Sequence, residues 1–184
     1  MSRLTIYRDD APLAAELDTA DEARIREGLA RINVRFARWT AQQQLASTDR
    51  DEDVLAAYQP EIQRLEGAHG YRSVDVLRCL PDHPQKQQLR AKFLAEHTHD
   101  DDEVRFFVEG AGMFYLHAEA HVHMVLCERN DLISVPAGMR HWFDMGADPH
   151  FTVIRLFTSQ EGWVARFTGD SIATRFPAFA QQAA

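Results

Sequence analysis

A mainly β protein with accompanying helices is what the sequence predicts: an antiparallel β-barrel with helices from the N-terminal half packed on it. Three observations carry this. After residue 97 the chain falls into short β-rich runs, EVRFFVEG, GMFYLHA, AHVHMVLCE, DLISVPAG, RHWFDMG and PHFTVIRLF, parted by Gly, Asn, Asp or Pro. Six strands at this spacing fit an antiparallel barrel or sandwich. Before residue 97 the apolar residues recur at mainly helical intervals. Finally, 184 residues with no linker and no repeat make one well-packed domain and are short for two. The expected layout is one domain over residues 1–184: a helical half with one or two strands (1–95), barrel strands (96–160), and a C-terminal strand and tail (161–184).

In chain order, DTADEARIREGLARI offers Thr19 with Glu22 three residues later, a capping box, and a stripe of Ala23, Ile25, Leu29 and Ile32. DEDVLAAYQPEIQRLEGAHG reads as a second helix ending near Gly67 or Gly70, which Pro60 should kink or divide. YRSVDVLRCL alternates as a strand, and HPQKQQLRAKFLAEH follows as a third helix with Pro84 near its first turn. The closing FPAFAQQAA has little to pack and is expected to fray.

Composition narrows the function classes. A formal net charge of −8, with 20 dispersed Lys and Arg residues, argues against nucleic acid or an anionic membrane as partner. No apolar stretch is long enough to span a bilayer, and the N-terminus lacks the apolar core of a signal peptide. Two cysteines, Cys79 and Cys127, make no disulfide framework. A cytoplasmic protein is the simplest expectation.

The compositional oddity is nine histidines, seven of them from residue 97 to residue 150. In EHTHDDDEVRFFVEG, extended geometry would put His97, His99, Glu103, Arg105 and Phe107 on one face and Val104, Phe106 and Val108 on the other. Two imidazoles and a carboxylate can thus converge from one strand and its approach. In DLISVPAGMRHWF, the turn at Pro136 and Gly138 would return His141 along a neighbouring strand as a fourth ligand. Three imidazoles and one carboxylate suit a divalent transition metal, and an octahedral ion would keep two positions open. An HxH alone is as readily a surface or core pair. Glu103 and the downstream PxGxxH turn the reading towards metal, while Asp100 to Asp102 by themselves read as a solvated loop. The competing set His117, His121 and His123 has Cys127 where a carboxylate would stand and reads as exposed or structural. Cys127 with His123 as nucleophile and base lacks an orienting third group. His69, His83 and His150 read as surface residues.

The two motifs resemble those of the cupin superfamily, G(x)5HxH(x)3,4E(x)6G and G(x)5PxG(x)2H(x)3N. His97, His99, Glu103 and Gly110 match the first, and Pro136, Gly138 and His141 the second. Ala91 and Asn130 replace the leading glycines and Met145 the final Asn, at positions that shape turns. The resemblance implies a jelly-roll barrel, but cupins are catalytically diverse. A narrower resemblance, carried by EHTHDDDEVRFFVEG, GMFYLHA, VLCERNDLISVPAGMRHWFDMG and FTVIRLFTSQEGWVARFTGDSIATRFP, is to the bacterial acireductone dioxygenase family of methionine salvage. It covers nearly the whole chain.

That resemblance implies one Fe(II) or Ni(II) per chain on His97, His99, Glu103 and His141. It implies that Arg105 helps generate and hold the substrate dianion, that Glu96 assists metal incorporation, and that Asp102 relays conformational change. The substrates would be the ene-diol acireductone and O2. Iron would direct cleavage to the keto acid precursor of methionine (2-keto-4-methylthiobutyrate) plus formate, and nickel to methylthiopropionate, formate and carbon monoxide. A guanidinium two residues past Glu103 would favour an ionised substrate; its plain structural alternative is an ion pair with Asp102 or Glu109. The methylthio tail needs an apolar slot, for which Phe107, Trp142, Phe143, Phe157 and Trp163 are candidates, although core packing suits most of them equally. Met113, Met124 and Met145 read as core gap-fillers. No nucleic acid or membrane partner and a monomeric state are expected. Two other classes stay open: a sugar isomerase, which should show phosphate-binding cations beyond Arg105 and Arg155, and a non-catalytic binding cupin.

Overall fold

The computed structural model describes residues 1–40, 45–46, 48–159 and 164–180. Its strands are β1 (Arg3–Arg8), β2 (Ala15–Thr19), β3 (Arg35–Arg38), β4 (Ser73–Cys79), β5 (His97–Thr98), β6 (Glu103–Ala118), β7 (His121–Glu128), β8 (Asp131–Val135), β9 (Arg140–Asp144), β10 (Phe151–Phe157) and β11 (Arg166–Phe167). The helices are α1 (Glu22–Ala30), α2 (Asp51–Ala57), α3 (Gln59–His69) and α4 (Lys86–Phe93).

Two antiparallel sheets share the long strand β6. Its first half pairs with β10 and β8, and its second half with β7 and β9. One layer therefore runs β11-β5-β9-β6-β7-β1-β2, and the other joins β4, β10, β6, β8 and β3. EVRFFVEG and GMFYLHA, expected as two strands, are this one strand. Gly110 (φ +73°) bends it without ending it, and the register against β10 slips between Thr152 and Val153. A Cβ on Gly110 would stand 1.8 Å from the His150 carbonyl oxygen, so the bend requires glycine.

Period-two alternation then sorts the core. Phe107, Phe114, Leu116, Ile133, Phe143 and Val153 fill the space between the layers. Val104, Phe106, Leu132 and Ile154 face outward, where Val54, Tyr58, Ile62 and Leu65 of α2 and α3 cover them. Burying side chains of that size stabilises by about 1.5–3 kcal/mol each. Pro60 divides these helices at Tyr58, and Gly70 ends α3 in the left-handed conformation.

Among the described residues of 1–95 there are four strands, where one or two were expected. The strands β1 to β3 are short and half polar; β1 pairs with β7 and carries β2 on its other edge, and β3 pairs with β8. The cap of α1 is Asp21, whose carboxylate accepts the Arg24 amide at 2.9 Å; Thr19 ends β2 instead. The tail also differs from expectation. Phe176 is buried against Trp142, the Pro177 carbonyl accepts from Tyr115, and the Phe179 amide donates to Asp144. Residues 181–184 lie outside the described set. No helix among the described residues is long and apolar enough to cross a membrane.

Candidate metal centre

Strand β5 lies between β9 and β11, and its His97 pairs with His141 of β9. The β8–β9 turn is closed by the Met139 amide on Pro136 and by Gly138 at φ +78°. It docks on the loop after β5: the Gly138 amide donates to the His99 carbonyl at 2.8 Å and the Ala137 amide to Asp102 at 3.0 Å. Glu103 opens β6. These contacts gather His97, His99, Glu103 and His141, all buried, with one potential ligand atom from each lying within 4.8 Å of the others. Among the described residues this is the set of His, Cys, Asp and Glu side chains that could hold a metal ion.

The hydrogen bonds behind the rings fix their orientation. His97 Nδ1 donates to Ala95 at 2.7 Å, His99 Nδ1 to Val164 at 3.1 Å, and His141 Nδ1 to Met139 at 2.8 Å, each to a backbone carbonyl. With Nδ1 carrying the proton, a neutral ring presents the Nε2 lone pair to the centre, the tautomer a metal requires. Yet His99 Nε2 and His141 Nε2 stand 3.0 and 3.2 Å from the same Glu103 oxygen, Oε2. Lone pair against carboxylate is repulsive unless a proton or a cation sits between them. Burial alone would lower the His99 pKa, but the Glu103 hydrogen bond and charge outweigh it and raise it. His97, buried and beside His141, is pushed down to about 4. Burial would raise Glu103; the Arg105 charge and the two imidazoles hold it well below the usual carboxylate range.

Arg105 lies two residues on, buried, with Nε 2.7 Å from Glu103 Oε1. Its guanidinium is bedded on Phe143 at 4.5 Å, Phe114 at 5.3 Å and Phe93 at 5.7 Å. Asp102 accepts from Ala137 and Tyr71, and Glu109 faces exposed His150. Glu96 is buried behind the centre, bonded to His117 at 2.6 Å and to Thr168 at 2.7 Å.

Beside the rings is a cavity of about 250 Å³, lined by His97, His99, Arg105, Leu77, Leu89, Phe93, Phe151 and Arg155. The aromatic residues expected there sit elsewhere. Phe107 and Phe143 belong to the core between the layers, Phe143 forming the bed of Arg105. Phe157 is buried under the Arg155 guanidinium, and Trp142 stacks on Tyr115. Trp163 lies outside the described residues. The walls that sequence reasoning missed come from α4, β4 and β10. Their faint signal was Leu89 and Phe93 at i and i+4 on one helix face. Arg155 is held by Asp75 at 2.6 and 2.8 Å.

A larger space of about 470 Å³ opens under α1, bounded by Ile6, Leu17, His121 and His123, well apart from the four-residue group. His123 is buried there and pushed down to about 4 by that burial, while His121 pairs with Glu16 at the surface. Burial raises the Cys127 thiol well above its ordinary value, which leaves it unreactive.

The comparisons with known proteins follow the same line. The model of the ARD/ARD' family matches residues 3–165. The acireductone dioxygenase of Parvibaculum lavamentivorans is 59% identical over 97% of both chains. That of Pseudomonas aeruginosa is 56% identical over 96% of this chain and 98% of its own. Among solved structures, acireductone dioxygenase from Bacillus anthracis, with a cadmium ion in its active centre, superposes with a TM-score of 0.79. It is 28% identical and covers 91% of this chain and 98% of its own. A cupin barrel, a buried three-histidine and one-glutamate cluster, and this extent of similarity converge: the chain belongs to the acireductone dioxygenase (ARD/ARD') family.

Proposed function

We propose that this protein cleaves acireductone with dioxygen, using one Fe(II) or Ni(II) held by His97, His99, Glu103 and His141. The observation that carries the reading is the convergence of four buried ligand atoms within 4.8 Å of one another, with the His99 and His141 Nε2 atoms 3.0 and 3.2 Å from one Glu103 oxygen. A divalent cation between them turns repulsion into ligation, and three imidazoles with one carboxylate are donors that iron and nickel both accept. When bound, the ion would supply Lewis acidity towards the substrate's oxygens.

The chain's own residues do the rest. Arg105 faces the cavity from a water-poor aromatic bed, and its permanent charge favours the ionised ene-diol. Leu89, Phe93 and Phe151 offer the methylthio tail an apolar wall. Glu96, bonded to the segments on either side of the rings, assists metal uptake, and Asp102, tied to the β8–β9 turn, passes movement of that turn to Glu103. A sugar phosphate is the weaker fit: of the cations lining the cavity, Arg155 is engaged by Asp75 and Arg105 by Glu103, which leaves Lys92 at the rim. The free, buried cysteines suit a reducing cytoplasm, and the large apolar residues left exposed are scattered, which suits a monomer.

The test is to strip the protein, reload it separately with Fe(II) and Ni(II), add acireductone and oxygen, and follow loss of the ene-diol absorbance while trapping products. Expected are 2-keto-4-methylthiobutyrate and formate from the iron form, and methylthiopropionate, formate and carbon monoxide from the nickel form. No acceleration over spontaneous oxidation with either metal would refute the reading.

A further inference from the structure

The side of β5 opposite the metal centre carries a buried polar chain in which the proposed function uses Glu96 and leaves His117 and Thr168 without a role. His117 Nδ1 meets Glu96 Oε1 at 2.6 Å, and Glu96 Oε2 accepts from Thr168 Oγ1 at 2.7 Å. The Thr168 amide also donates to the Glu96 carbonyl at 3.1 Å. Glu96 is 1% exposed and His117 6%. On its far side, His117 Nε2 is 3.4 Å from Asp9 and 3.5 Å from Arg140. Because successive residues of a strand face opposite ways, Glu96 stands behind the ring of His97, and His117 behind the β6 residue that pairs with His141.

This chain ends on the least anchored element near the site. Strand β11 is two residues long, both exposed, and among the described residues it pairs with β5 alone. Phe167 is 53% exposed and Val164 65%, so little apolar burial holds the segment. It nevertheless supplies two supports to the centre: the Val164 carbonyl that orients His99, and the Phe167 ring against His97 at 5.9 Å. Strand β6, by contrast, is paired on both edges along its second half. His117 thus ties a lightly packed segment, through one carboxylate, to a strand paired on both edges.

We infer that His117 is a positioning residue for the metal centre, orienting Glu96 so that its carboxylate clamps Thr168 and sets β11 behind His97 and His99. The inference rests on the metal-centre reading above. Groups that orient ligands in this way commonly change metal affinity by about 10- to 100-fold when removed.

The measurement is Ni(II) affinity by competition with a chelator, beside amide hydrogen exchange at Phe167 and Thr168, in the full chain. His117→Ala should weaken Ni(II) binding at least about tenfold and speed exchange in β11. His117→Asn keeps a donor where Nδ1 stood and should restore most of both. Thr168→Val, a milder change at an exposed residue, should reproduce the loss if His117→Ala fails to fold. With both substitutions together, the loss should be no larger than the greater single one, because both act through Glu96. Unchanged Ni(II) affinity in Thr168→Val, or a His117→Ala defect that Asn does not rescue, would overturn the inference while leaving the metal centre standing. Wild-type protein that takes up no Ni(II) would overturn both.

Discussion

Replacing Arg105 with methionine should destabilise the metal-free protein and, at the same time, tighten its hold on a divalent ion. The guanidinium and the Glu103 carboxylate are both buried, 2.7 Å apart. Breaking a buried pair from one side costs about 3–5 kcal/mol, because the remaining charge keeps its desolvation penalty without its partner. Here the lower end, about 3 kcal/mol, applies, since His99, its pKa raised by Glu103, can donate to the other carboxylate oxygen. Methionine fills much of the space among Phe93, Phe114 and Phe143, so packing loss adds little.

A bound divalent ion supplies the charge that the variant lacks. Up to about 3 kcal/mol should therefore return on binding, a gain of as much as about a hundredfold in affinity. Turnover should move the other way. Loss of a charge-assisted contact to an anionic substrate is worth about 1.5–3 kcal/mol, or roughly 10- to 150-fold in kcat/KM. Urea unfolding of stripped and loaded protein, chelator competition for Ni(II) and the ene-diol assay read the three quantities. Unchanged turnover would refute the role in holding the dianion. A fall in metal affinity together with stability would show Arg105 to be scaffold and not counter-charge.

Other perturbations test separate steps. His99→Ala should lose metal and activity together, read by metal analysis and turnover; bound iron with full activity would sink the ligand assignment. Burial holds His123 near a pKa of about 4, against roughly 6.5 in the unfolded chain. Protons then favour the unfolded state as the pH falls, so stability present at pH 7 is lost on the way down to about 4. Between pH 7 and 5 this amounts to about 2 kcal/mol, and His123→Gln should be that much less sensitive to the same change in urea titrations. Matching slopes would show that His123 does not titrate this way. Gly112→Ala would put a Cβ 2.3 Å from Phe143 Cζ, displacing the ring that beds Arg105. It should cost about 1–3 kcal/mol and lower kcat/KM with metal content unchanged; full activity would mean that the bed of Arg105 does not matter.

The residues of the centre were legible because three of them lie within seven residues, 97 to 103, and all four obey two local rules. Period-two alternation separates His97, Glu103, Arg105 and Phe107 from Val104, Phe106 and Val108, and the structure buries the apolar members of the two sets in different clusters. The PxG turn returns His141 because left-handed Gly138 closes it next to His99. What was not legible depends on distant partners. Strands β1 to β3 carry too much charge to declare themselves, and β6 hid its continuity behind Gly110 and Gly112. The cavity walls come from three elements spread over residues 77 to 155, and no local pattern says that Phe93 rather than Phe107 faces the site. The same holds for His117, read from spacing as a structural histidine: its role follows only from Glu96, twenty-one residues earlier.

Charge balance offers the strongest physical reason for the site's choice of substrate. With a metal bound, the three imidazoles would be neutral, Glu103 carries −1 and Arg105 +1, so these protein groups cancel. A divalent ion raises the buried total to +2, in surroundings where an uncompensated charge is costly. A dianion cancels it; a monoanion leaves +1 and a neutral sugar +2. The site should therefore draw down the second ionisation of the ene-diol and discriminate against ligands that cannot lose two protons. Arg105→Met shifts the balance to +1, which is matched by a monoanion. Substrate-analogue monoanions should consequently gain on dianions in that variant, measured as the ratio of inhibition constants at fixed pH. An unchanged ratio would mean that Arg105 shapes the pocket without setting its charge.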